Sequence, residues 1–177
     1  FWVCWMLKQL FDSSLRDTII FKGGTSLSKI FHLIKRFSED IDLILNWKEN
    51  PIGDPLEMRS NAKQAKFNEE LDTWGLHYIA DVLLPEVQKL CADICVAELS
   101  EEKPDNIIIT YPKSFADEYL RPQILLEIGA KAAWVPHATY KISPYASEAY
   151  PQLFTMPEIN IIATTPERSF WEKVTIL

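Results

Sequence analysis

The sequence is short of cysteine and has no long apolar run, and each shortage removes a class of protein. Three cysteines, Cys4, Cys91 and Cys95, form an odd number without a CxxC pair, which excludes a disulfide framework and a cysteine-rich zinc site. This usage fits a reducing cytoplasm, the compartment expected for the chain. Cys91 and Cys95 are four apart in a helical pattern and read as small buried apolar groups on one face. No stretch reaches the roughly 18 uninterrupted apolar residues of a membrane span. The opening FWVCWMLKQLF lacks the basic start and cleavage site of a signal peptide, so no membrane partner is expected. His32, His77 and His137 are scattered without metal spacing. A GxxxxGKS/T phosphate loop, a GxGxxG dinucleotide fingerprint and an internal repeat are all missing.

What remains is an ordinary globular composition, 47% hydrophobic and 24% charged over 177 residues, enough for one core-bearing domain spanning 1–177. The net charge of −7 argues against a protein that coats nucleic acid non-specifically. The charge is uneven, however: residues 1–37 carry six basic and two acidic residues, and residues 38–177 carry twelve and twenty-three. The chain begins at Phe1 and stops in the apolar run WEKVTIL without a helix stop signal. It is therefore expected to be a fragment of a longer protein.

The hydrophobic pattern predicts a first amphipathic helix carrying Trp2, Met6, Leu7, Leu10, Phe11 and Leu15, then a short strand over TIIF at 18–21. Gly23-Gly24 breaks that strand, and Thr25 or Ser26 is placed to cap a second helix with Leu27, Ile30, Phe31 and Ile34 on its apolar stripe. Residues 38–45, SEDIDLIL, read as a second strand, antiparallel or mixed relative to the first. A loop follows at 46–56, then helix from 57 to 99 with interruptions expected at Gly75 and Pro85. The acidic stretch SEEKPD at 100–105 reads as an exposed connector, and NIIITY at 106–111 and QILLEIG at 123–129 read as strands. Residues 130–157 hold four of the eleven prolines and read as a long irregular loop. EINIIAT at 158–164 is another strand, and Thr165-Pro166-Glu167 starts a final helix.

The triplet Asp40-Ile41-Asp42 carries the first chemical signal. Alternate residues of a strand share a face, so both carboxylates stand together while Ile41 points the other way. Adjacent carboxylates repel, and a divalent cation relieves that repulsion. Ten aspartates among 177 residues give about 0.6 D-x-D triplets by chance, so the triplet needs its context. That context is the Gly-Gly turn, where backbone N–H groups and a helix start can approach an anion. Lys22, Thr25 and Ser26 add a cation and hydroxyls beside it; an isolated Gly-Gly would otherwise mean turn geometry alone. Glu127 is the only acid within an otherwise apolar strand and the best candidate for a third oxygen ligand. Its bland alternative is an ion pair with Lys131 or Arg121. Trp134 and Tyr140, beside Lys131 and Lys141 in the irregular loop, leave base stacking open, although the tryptophans as a group read as core or interface.

Taken together, FKGGTSLSK, RFSEDIDL, a strand carrying a carboxylate and TPERSFWEKVTIL resemble the AbiEii/AbiGii-type nucleotidyltransferase toxins, a branch of the polymerase-β-like nucleotidyltransferase superfamily. The family pattern R-x-S-x-D-I-D is matched by Arg36, Ser38, Asp40, Ile41 and Asp42, Gly-Gly-Thr-Ser by residues 23–26, and the helix bearing E-K by Glu172 and Lys173. The resemblance implies an α/β (α+β) fold with a mixed sheet flanked by helices. It implies two Mg2+ ions on Asp40, Asp42 and Glu127, with an NTP bound through Gly23, Gly24, Thr25 and Ser26. Lys173 would offset triphosphate charge, Lys22 would lie beside it, and Arg36 and Ser38 would contact phosphate or brace the acidic loop. The implied reaction transfers NMP to an RNA acceptor such as a tRNA 3′ end, or less readily to a protein hydroxyl, in a toxin of a bacterial toxin–antitoxin or abortive-infection system with an antitoxin partner. Such proteins usually continue into a further C-terminal helical region, which a fragment of this extent is expected to lack. The rival readings are a non-catalytic nucleotide-binding or interaction module on the same fold, and a metal-dependent phosphoesterase using the same acids.

Overall fold

The computed structural model describes residues 1–34, 38–46, 50–113, 121–131, 134–154 and 158–174, with the Lys173 side chain excepted. Its centre is a seven-stranded mixed sheet: β1 (Ile19–Lys22), β2 (Asp40–Leu45), β3 (Val96–Leu99), β4 (Asn106–Thr110), β5 (Gln123–Gly129), β6 (His137–Ile142) and β7 (Ile159–Thr164), in the spatial order β3-β4-β5-β2-β1-β7-β6. The β1/β7 and β2/β5 pairs are parallel and the other four are antiparallel. This is the mixed α/β architecture that the strand pattern and the resemblance call for.

Alternation along the strands divides the sheet into two unlike faces. Ile19 and Phe21, Ile41 and Leu43, Ile124 and Leu126, and Ile161 and Ala163 point to one side and are fully buried or nearly so. Helix α1 (Trp2–Phe11) packs its buried stripe of Met6, Leu7, Leu10 and Phe11 against them. Helix α3 (Asn61–Tyr78), the turn after it and helix α4 (Leu84–Cys91) cover the rest of that face, with Ile79 and Leu83 from the turn and Val87 from α4 in the core. Each fully buried aliphatic side chain contributes about 1.5–3 kcal/mol, so this face holds the fold together. On the opposite face, Trp134 covers only the end formed by Ile20 and Ile44. Trp134 is 7% exposed, which corrects the stacking option raised for it, and Tyr140 faces the core side and meets Phe31 edge-on.

Several expected elements take different bounds. Helix α2 (Gly23–Lys29) starts at the glycine pair itself, and neither Thr25 nor Ser26 caps it. It stops early because His32 adopts a left-handed φ of 53°, letting the Leu33 N–H donate to the Leu27 carbonyl at 3.0 Å. Gly75 does not interrupt α3: a Cβ there would lie 2.8 Å from the Ala130 Cβ, so glycine permits close helix–sheet approach. Ahead of Pro85 the helix widens into a π-turn over Ile79–Leu83, since proline offers no N–H and its ring crowds the carbonyl four residues back. Helix ends at Cys91 rather than Leu99, so Cys91 and Cys95 do not share a helical face, although both are buried. Val96–Leu99 and His137–Ile142 are the two edge strands, replacing the end of the expected long helix and part of the expected loop. The remaining described helices are α5 (Tyr145–Ala149) and α6 (Pro166–Val174), the second starting where the Thr-Pro-Glu signal places it.

Candidate active site on the open sheet face

The register of four strands lines up Lys22, Asp42, Glu127 and Asn106 in one row: Lys22 opposes Asp42, Asp42 opposes Glu127, and Glu127 opposes Asn106. Directly paired residues on neighbouring strands point to the same face, and strands lie about 4.8 Å apart. Asp40, two residues before Asp42, shares that face one row away and pairs with Leu125. The isoleucine between the aspartates is fully buried on the other side.

The glycine turn fits this row closely. Gly23 has φ +78°, and a Cβ on it would stand 1.9 Å from Oδ2 of Asp42. Only glycine therefore allows both the turn and the carboxylate above it. The Thr25 hydroxyl donates to the Asp40 carbonyl at 2.7 Å, and the Ser26 hydroxyl donates to the Gly23 carbonyl at 2.7 Å. Both residues are buried. In this arrangement both hydroxyls are engaged at the turn, Thr25 tying it to β2 and Ser26 closing on the glycine pair. Ser38 Oγ lies 3.5 Å from Asp40 Oδ2, at the limit of a hydrogen bond.

Two members of the row, Lys22 and Glu127, meet a charge from outside it. Lys22 Nζ meets Glu172 Oε1 at 2.9 Å, which docks α6 onto the end of β1. Lys103 Nζ lies 3.9 Å from Glu127 Oε1. Lys131, one of the partners expected for Glu127, pairs with Asp72 instead. A cavity of about 460 Å³ opens over the row, with Lys22, Asp42, Glu127, Asn106, Glu102, Lys103 and Asp105 among its lining residues. Two lysines there face four carboxylates, so the cavity is acidic and suits cations or anions that arrive with cations. A neighbouring cavity of about 430 Å³ between α3 and the end of β5 is lined by Gly75, Leu76, Ile79 and Ala130, and Asp42 does not border it.

The three acids expected to hold metal thus share one face on adjacent strands. Their carboxylates are not gathered: among the described residues, no three His, Cys, Asp or Glu side chains stand ready to hold an ion. Asp42 lies over Gly23, while Glu127 is near Lys103 and Asp40 near Ser38. All three remain hard oxygen donors on neighbouring register positions, which fits Mg2+ by donor type and backbone placement. Arg36 lies outside the described residues, as does the side chain of Lys173, whose backbone belongs to α6. Residues 101–105 are exposed, as expected of a connector, and they also supply Glu102, Lys103 and Asp105 to the cavity wall. Only the density of charge in SEEKPD hinted at it.

A mixed sheet flanked by helices, with an acid pair on a strand beside a glycine turn, is a nucleotidyltransferase-type fold. The chain matches the family described as nucleotidyl transferase AbiEii toxin, type IV toxin–antitoxin system, across residues 5–177, and it belongs to that family. No curated protein and no solved structure matches the chain. Membership of a toxin–antitoxin family implies an antitoxin partner. Among the described residues, no helix is long and apolar enough to cross a membrane.

Proposed function

We propose that this protein uses Mg2+ to transfer NMP from an NTP to an RNA acceptor such as a tRNA 3′ end, and that this modification is what its antitoxin opposes. The observation that carries the reading is the row on the open sheet face, with Asp42 seated over Gly23 and between Lys22 and Glu127. Asp40, Asp42 and Glu127 would hold the metal. When bound, a pair of Mg2+ ions supplies orientation of the triphosphate and a lowered pKa at the attacking acceptor hydroxyl.

The chain's own groups do the rest. Gly23 and Gly24 open α2, and their backbone N–H groups would meet a phosphate at the turn, beside the Asp42 carboxylate. Thr25 holds that turn against β2 through its bond to the Asp40 carbonyl, and Ser26 closes on the Gly23 carbonyl within it. Lys22, fixed by Glu172, keeps a positive charge beside Asp42. Lys173 would offset the charge of the triphosphate from α6, as the family resemblance implies.

Incubating the protein with labelled NTPs, Mg2+ and total RNA tests this directly. Label should appear on RNA with wild-type protein and be lost with Asp40→Ala and Asp42→Ala. Equal labelling by those variants removes the enzyme reading. The ungathered carboxylates favour a second reading, a nucleotide-binding module without turnover, for which the protein would bind NTP and label nothing.

A further inference from the structure

Residues 102–105 form the wall of the acidic cavity at the Asn106 end of the row, away from Lys22. Backbone bonds fix them there. Ser100 N–H donates to the Asn106 carbonyl at 2.9 Å, Asn106 N–H to the Lys103 carbonyl at 2.9 Å, and Ile128 N–H to the Asp105 carbonyl at 3.1 Å. The first two close the turn onto β4 and the third ties it to β5. Lys103 is thereby carried over the row, with its ammonium 3.9 Å from Glu127.

The cavity's two lysines are held very differently. Lys22 makes a 2.9 Å pair in which both side chains are about a quarter exposed or less, at 20% and 26%. Lys103 makes a 3.9 Å contact with its side chain 65% exposed and Glu127 40% exposed. A long, solvated contact of this kind contributes little to stability and exchanges readily. An ammonium on a flexible four-carbon stem is also suited to a phosphate that comes and goes.

We infer that Lys103 is a phosphate-binding residue, which leaves Glu127 to contact the polyphosphate of a nucleotide in this cavity. The inference rests on the nucleotidyltransferase reading and adds a substrate contact to it. A nucleotide is favoured over an RNA backbone because the ammonium sits over Glu127, the register neighbour of Asp42, inside the same cavity. A polyanion entering among four carboxylates also needs a cation it can recruit, and Lys103 is the more weakly held of the two.

Calorimetric titration of the full chain with a non-hydrolysable NTP analogue in Mg2+ tests this, alongside titration with a short RNA alone. The variants are Lys103→Ala, Lys103→Gln, Lys103→Arg and, as a control, Lys66→Ala, an exposed lysine paired with Glu70 on α3. Loss of one charge-assisted contact should weaken nucleotide binding on the order of tenfold in Lys103→Ala and Lys103→Gln. Lys103→Arg should recover part of it, and Lys66→Ala should match wild type. All four should melt within a degree or two of wild type, and Lys103→Gln keeps the aliphatic stem if alanine disturbs the turn. Unchanged nucleotide affinity in Lys103→Gln, or a loss seen only with RNA, overturns the inference while leaving the nucleotidyltransferase reading in place. Wild-type protein that binds no nucleotide overturns both.

Discussion

The two faces of the central sheet are built from the same strands and do opposite work. In β2, Ile41, Leu43 and Leu45 point under α1, α3 and α4 and are excluded from water, while Asp40 and Asp42 point to the open side. The same alternation sets Leu126 against Glu127 in β5 and Phe21 against Lys22 in β1. Changing one residue by one position therefore exchanges a stability residue for a chemical one. Charge is affordable on the open face because the other face supplies the burial.

The sharpest way to break this comparison is Asp42→Ala. It should lower nucleotide transfer by about 10²-fold or more, the scale of removing a group that stabilises developing charge, with little change in melting temperature. Gly23→Ala should come next and cross the divide. A left-handed φ costs a non-glycine residue about 1–2 kcal/mol, and the new Cβ would collide with the Asp42 carboxylate, so both stability and transfer should fall. Leu43→Ala, one position from Asp42, should do the reverse of Asp42→Ala. It should lose about 2–5 kcal/mol of unfolding free energy in denaturant titrations, with transfer per folded molecule preserved.

Smaller effects are expected from the buried thiols and from an exposed ion pair. Burial pushes the Cys91 thiol up from its ordinary 9.0 to about 11 and raises Cys4 and Cys95 as well. At pH 8 the folded protein should react with a thiol reagent only as fast as it opens. Because the folded pKa is raised, the stability from keeping Cys91 protonated is full below pH 9 and is lost as pH rises towards 11. The smallest effect is expected for Lys141→Ala, whose pair with Glu158 is 64% exposed on both sides. It should change stability by less than about 1 kcal/mol.

Legibility in the sequence follows the same division. β1, β2, β5 and β7 stand out because their buried face imposes apolar residues at every second position. The glycine turn and the acid pair stand out because few residue types can replace them. The edge strands β3 and β6 do not, since VAEL and HATYKI each have a strand edge open to solvent and little apolar alternation to show. Gly75 reads as a helix breaker until Ala130, 55 positions away, is seen against it. Lys103 and Glu172 reach the row only through sheet register and helix docking, which no local spacing encodes. The hydroxyls of Thr25 and Ser26 were legible as part of the turn, but their inward direction was not.

The most direct test of the open face as a nucleotidyl-transfer site uses one NTP carrying its label at either the α- or the γ-phosphate, with Mg2+ and RNA. Transfer of NMP predicts α-label on the RNA, γ-label in released pyrophosphate, and neither event with Asp42→Ala. Label on RNA from the γ position, or α-label transfer that survives Asp42→Ala, would contradict the account.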